Sequence, residues 1–137
     1  MINSQLSREV EFTSVPENIN LVESFVEELK SQLGMSEELE ANVLVSLSEA
    51  ANNAIIHGNK MDASKKVKMK MHKDEKSLVF SVEDEGPGFN FNDVKDPTAP
   101  ENLDKPTGRG IFLMRTLADK TEFLEEGRKV VITFFLT

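Results

Sequence analysis

The chain has 137 residues, 39% hydrophobic and 29% charged, an ordinary globular mixture with room for one core and a single domain over residues 1–137. A formal net charge of -8 argues against a nucleic-acid partner, which needs a basic surface, but leaves nucleotides open, because backbone amides and a bound cation can hold phosphate on an acidic protein. Cysteine is absent, which excludes disulfides and thiolate chemistry and suits a reducing cytoplasm; no apolar run is long enough to span a bilayer, and no secretory leader opens the chain.

Residues 8–14 alternate Val10 and Phe12 with polar neighbours and read as a short strand. Pro16 suits a first helical turn, and Ile19, Val22, Phe25, Val26 and Leu29 recur at helical spacing up to Gly34, which stops that helix. Ser36 caps the next helix, with Glu37 and Glu38 at its positive end, and the helix runs to about His57, where Gly58 terminates it. Two strands follow, 65–72 and 77–83, the first with Lys66, Lys68 and Lys70 on a wet face and the second with Leu78, Phe80 and Val82 on a dry one.

The segment 86–107 holds Pro87, Pro97, Pro100 and Pro106 and lacks clear periodicity, the character of a lid or binding loop, placed at about 89–107. Gly108-Arg109-Gly110 then opens a helix through Ile111, Phe112, Met114 and Leu117, and two last strands, about 121–125 and 129–136, join at Gly127. The order β-α-α-β-β-lid-α-β-β predicts an α/β (α+β) two-layer sandwich, a largely antiparallel mixed sheet covered on one face by three helices.

Three clusters can carry chemistry. Glu49 and Asn53 are four apart on one helix flank; an amide oxygen suits Mg²⁺, and a carboxylate can accept a proton or orient a nucleophile. The same pair equally suits the exposed flank of an amphipathic helix. Asp84-Glu85-Gly86-Pro87-Gly88 is a tight turn after a strand, where a carboxylate can accept from an exocyclic amine, or simply a hairpin turn. Gly108-Arg109-Gly110 at a helix start can bind an anion through free N–H groups and a guanidinium, or serve as a hinge. His57 and His72 have no ligand-spaced partners and take structural roles.

Together, "SEAANNAIIHG" (48–58), "DEGPGF" (84–89) and "TGRGIFLM" (107–114), in this order around a proline-rich lid, resemble the ATP-binding superfamily of gyrase, Hsp90, histidine kinases and MutL. Within it the chain looks most like the anti-sigma factor serine/threonine kinases of bacterial partner switching. The resemblance implies a Bergerat-type ATP-binding fold, with Glu49 the catalytic carboxylate and Asn53 the Mg²⁺ ligand. It also implies that Asp84 recognises the adenine amine, that Gly86 and Gly88 shape its pocket, and that Gly108 and Gly110 admit the phosphates. The resemblance assigns no role to Arg109, whose phosphate contact rests on chemistry alone.

By the same resemblance, the substrate is a serine on a small antagonist protein. The resemblance also implies a sigma factor as a further partner, a role in transcription regulation and a homodimer, while charge, the short apolar runs and the absence of Cys lead us to expect a cytoplasmic protein without direct nucleic-acid or membrane contact. The alternatives are a nucleotide-dependent binding module without phosphotransfer and a stand-alone histidine-kinase-like catalytic domain. One departure stands out. Many relatives carry Thr after the glycine of the last hairpin, where this chain has Arg128; either another group such as Thr133 substitutes, or adenine is held less tightly.

Overall fold

Alternation builds the sheet. In the computed structural model, which describes residues 6–86 and 106–136 (side chains from residue 110 in the second stretch), the strands are β1 (Leu6–Thr13), β2 (Lys66–Lys73), β3 (Ser77–Glu83), β4 (Lys120–Leu124) and β5 (Lys129–Phe135). They form one five-stranded sheet in the order β1-β2-β3-β5-β4. The largely antiparallel expectation holds, and the described pairings include no parallel one. Val67, Met69 and Met71, then Leu78, Phe80 and Val82, then Val130, Ile132 and Phe134 are buried on one face. The register sets Met71 beside Phe80 and Phe80 beside Ile132, and the Phe80 and Phe134 rings meet edge to face at 6.2 Å.

The other face is wet, as the lysine alternation predicts. Lys66 and Lys68 reach Glu11 across the β1–β2 pair at 3.3 and 4.0 Å. These exposed pairs add little stability but keep the face soluble.

Three helices cover the dry face: α1 (Ile19–Leu33), α2 (Glu37–Asn52) and α3 (Pro106–Leu117), with α2 in contact with both others. Val22, Phe25, Val26 and Leu29 of α1 and Val43, Leu47, Ala50 and Ala51 of α2 supply the helical half of the core. A short 3₁₀ turn, Pro16–Asn18, leads into α1, which ends at Gly34 in the left-handed region (φ 66), its amide donating to the Lys30 carbonyl. Ser36 Oγ accepts from the Leu39 amide at 3.1 Å, the cap its sequence position predicts.

Two local readings change. The second helix does end at Gly58, but α2 passes into a π-helical turn, Asn53–Gly58, and the left-handed residues are Lys60 and Met61 rather than Gly58. The third helix begins at Pro106, a start that proline favours, so Gly108, Arg109 and Gly110 lie within its first turns instead of opening it. The expected lid at 89–107 lies almost wholly outside the described residues. No helix among the described residues is long and apolar enough to cross a membrane.

Candidate functional site

The site is assembled where α2 ends over the middle of the sheet. β3 and β5 are neighbours, so the turn leaving β3 meets the turn entering β5: the Asp84 amide donates to the Arg128 carbonyl at 2.9 Å. Within its own turn, Asp84 Oδ1 accepts from the Gly86 amide at 2.8 Å. Asp84 is half-buried, and that burial raises its pKa above the ordinary carboxylate value, against the opposing pull of the Gly86 N–H and the Arg128 guanidinium. A carboxylate held this way keeps Oδ2 available to an external donor.

Glycine is required where this turn meets the helix end. A Cβ on Gly86 would overlap the Gly58 carbonyl, and a Cβ on Gly58 would overlap the Asp84 carboxylate. Gly58 therefore serves close approach as well as termination. The sequence signal was its position beside His57; the reason for it appears only when the chain is folded.

Glu49 on α2 and Asn53, the first residue of the π turn that continues it, are four apart and lie on the flank toward α3. Both are partly exposed, and both abut Gly110: a Cβ there would stand 3.0 Å from Glu49 Oε2 and 3.1 Å from Asn53 Nδ2. Asn53 also lines a narrow cavity of about 20 Å³ with Asp84, Met114, Phe123 and Arg128. Asn53 thus links the Asp84 turn to the start of α3. A larger depression, about 460 Å³, lies over the wet sheet face beside Ser7, Lys70 and His72, away from all these groups.

Of the residues singled out in the sequence, Glu49, Asn53, Asp84, Gly86 and Gly110 converge. Gly108 and Arg109 are in the first turns of α3, with the Arg109 side chain outside the described part; Gly88 lies outside the described residues. His57 is exposed in the π turn, and His72 Nδ1 shares a 3.0 Å hydrogen bond with Ser7 Oγ on the wet face. Thr133 does not substitute at the site: Val130, Ile132 and Phe134 point inward, so Thr133 projects from the opposite face of β5. The group present there is Arg128, whose Nε donates to the Glu125 carbonyl at 3.2 Å. Asn59, which no sequence motif flagged, is buried beside the Asp84 turn.

A two-layer α/β domain with a carboxylate–amide pair on its central helix, facing a glycine-bounded acidic turn, matches the profile of the histidine kinase-like ATPase domain over residues 12–134. The chain belongs to that family. It is 32% identical over 123 residues to an anti-sigma F factor of Clostridium perfringens, an alignment covering 88% of this chain and 87% of that protein. It is 28% identical over 135 residues to the serine-protein kinase RsbW of Bacillus licheniformis, covering 93% and 84%. Among solved structures, the RsbU and RsbW domains of a Mycobacterium tuberculosis protein superpose with a TM-score of 0.66 at 14% identity, over 95% of this chain and 32% of that longer one, a likeness of fold.

Proposed function

We propose that this chain, as one domain, is an ATP-dependent serine/threonine protein kinase of the anti-sigma type. Its substrate is a serine on a small antagonist protein, and it switches between that protein and a sigma factor in the cytoplasm as a homodimer. The observation that carries the reading is the position of Asn53, which shares a cavity with Asp84 on one side and abuts Gly110 beside Glu49 on the other. One end of such a site suits a base, the other a polyphosphate.

The residues fit the nucleotide and metal that the family implies. Asp84 offers an acceptor to the adenine amine, and Gly86 keeps a side chain off the turn beside it. Asn53 offers the hard oxygen that Mg²⁺ takes alongside phosphate oxygens, and Mg²⁺ would supply neutralisation of phosphate charge. Gly108 and Gly110, early in α3, let phosphate approach backbone amides, and Arg109 adds a cation. A purine exceeds the cavity beside Asp84, so entry requires the side chains of Met114, Phe123 or Arg128 to part. Met114, unbranched and flexible, is suited to that movement.

Glu49 then acts on the incoming serine. It accepts the hydroxyl proton as the seryl oxygen bonds to the γ-phosphorus and the bond to the β-phosphate bridging oxygen breaks, releasing ADP. The rest of catalysis is positioning.

The test is incubation with γ-labelled ATP and the antagonist-like proteins encoded beside the gene. Acid-stable label on a serine of one of them supports the kinase. Label on histidine would favour the histidine-kinase alternative, and binding of ATP with no transfer would leave a nucleotide-dependent binding module.

A further inference from the structure

Asn59 is 1% exposed, yet its side chain is fully used. Nδ2 donates to Ser14 Oγ at 2.7 Å and to the Lys66 carbonyl at 3.0 Å, while Oδ1 accepts from the Glu85 amide at 2.8 Å. The amide orientation is fixed by its partners, since a carbonyl can only accept and an N–H can only donate. Ser14 Oγ in turn donates to the Lys65 carbonyl at 2.9 Å, so the whole network is satisfied.

The two halves of this network do different things. The Ser14, Lys65 and Lys66 contacts tie the end of β1 to the start of β2, a structural task. The Glu85 contact grips the middle of the Asp84–Gly86 turn from the helix end. Asp84 itself is held by its amide on Arg128 and by Gly86, which belongs to the same turn. Glu85 Oε2 also accepts from the Lys66 amide, but that anchor is exposed. Among the described residues, Asn59 is a buried side chain that holds the turn from outside it.

We propose that Asn59 is a positioning residue for nucleotide recognition: by holding the Glu85 amide it fixes the carboxylate of Asp84 toward the base. The inference rests on the adenine role given above to Asp84. Asn59 does not touch the nucleotide; it sets where the group that does touch it stands. Freed from this bond, the turn shifts relative to Gly58, and a carboxylate that must meet one amine loses its aim.

The test is calorimetric binding of ATP and GTP to the full chain as wild type, Asn59→Ala, Ser14→Ala and Asp84→Asn, with a thermal melt of each. Both Asn59→Ala and Ser14→Ala break buried hydrogen bonds and lower the melting temperature. Only Asn59→Ala should weaken ATP binding, by roughly tenfold, and shrink the preference for ATP over GTP by a similar factor. Should Asn59→Ala not fold, Asn59→Ser keeps a hydroxyl near Ser14 that is too short to reach the Glu85 amide, and the same result is expected of it. An ATP preference unchanged in the folded Asn59 variant, with Asp84→Asn abolishing it, would overturn this inference alone. Wild type that shows no ATP preference, or an Asp84→Asn variant that retains it, would overturn the adenine reading and this inference with it.

Discussion

Gly110 stands against Glu49 so closely that a Cβ added to it would lie 3.0 Å from Glu49 Oε2. The obstruction is the tip of a side chain, which can swing away, so Gly110→Ala should fold. Alanine even favours the helix by about 1 kcal/mol. The displaced carboxylate should nonetheless slow phosphate transfer roughly tenfold or more, since misplacement of a reacting group is costly. A thermal melt with single-turnover phosphorylation of the cognate partner checks both halves; full activity would mean that Glu49 does not act from this position.

Glu49 and Asn53 share a helix flank but should fail differently. Glu49→Gln keeps its shape and loses the ability to take a proton, so Mg-ATP binding should persist while transfer falls roughly a hundredfold or more. If Asn53 holds Mg²⁺ as proposed, Asn53→Ala breaks the link between protein, metal and phosphates, and affinity and transfer should both fall. Equilibrium binding beside single-turnover rates separates the cases, and two unaffected variants would identify a plain solvated flank.

Asp84 carries a pH signature. Burial raises its pKa in the folded protein, so its contribution to stability is fully present below the unfolded pKa and is lost as pH rises through the folded one. Near neutrality the ionised carboxylate therefore costs stability, and Asp84→Asn should melt no lower than wild type. The same substitution should weaken ATP by roughly ten- to a hundredfold, because an amide presents a donor as well as an acceptor. Wild-type ATP affinity should begin to fall on acidification at a higher pH than an exposed aspartate would dictate. Arg128→Thr removes a cation that opposes the rise and should move that limb higher still. Calorimetric titration across pH, with melts of the apo protein, tests each sign.

Ser36 should matter to stability alone. Its hydroxyl satisfies the Leu39 amide at the start of α2, and Ser36→Ala should cost about 1 kcal/mol. Denaturant melts should show that loss, with transfer well below the midpoint unchanged.

Legibility followed the range of the forces involved. Helix ends at Gly34 and Ser36, and the alternation of Leu78, Phe80 and Val82, are local and could be read from short windows. The same alternation across Val130, Ile132 and Phe134 already turned Thr133 away from the pocket, so that misplacement had a signal in the sequence. The start of α3 was obscured because Pro106 read as the last proline of the lid and Gly108 as the helix opening, while Pro106 marks the true first turn. Asn59 had no periodic signal at all: its partner Ser14 lies 45 positions away, and only the folded sheet brings them together.

The π turn at Asn53–Gly58 has a further consequence, one of length instead of composition. Its wider bonding, seen in the Asn59 amide donating to the Ala54 carbonyl at 2.8 Å, accommodates one residue more than an α-helix would over the same rise. That surplus turns everything after it by about 100°, one residue's share of a helical turn. Glu49, upstream, keeps its phase, while Gly58 and Asn59 are swung onto the Asp84 turn. Deleting one exposed residue, Ile56 or His57, would remove no core side chain and still rotate Asn59 off its three partners. This stretch should therefore accept many replacements of its exposed side chains, such as Ile56 and His57, but no change in the number of residues.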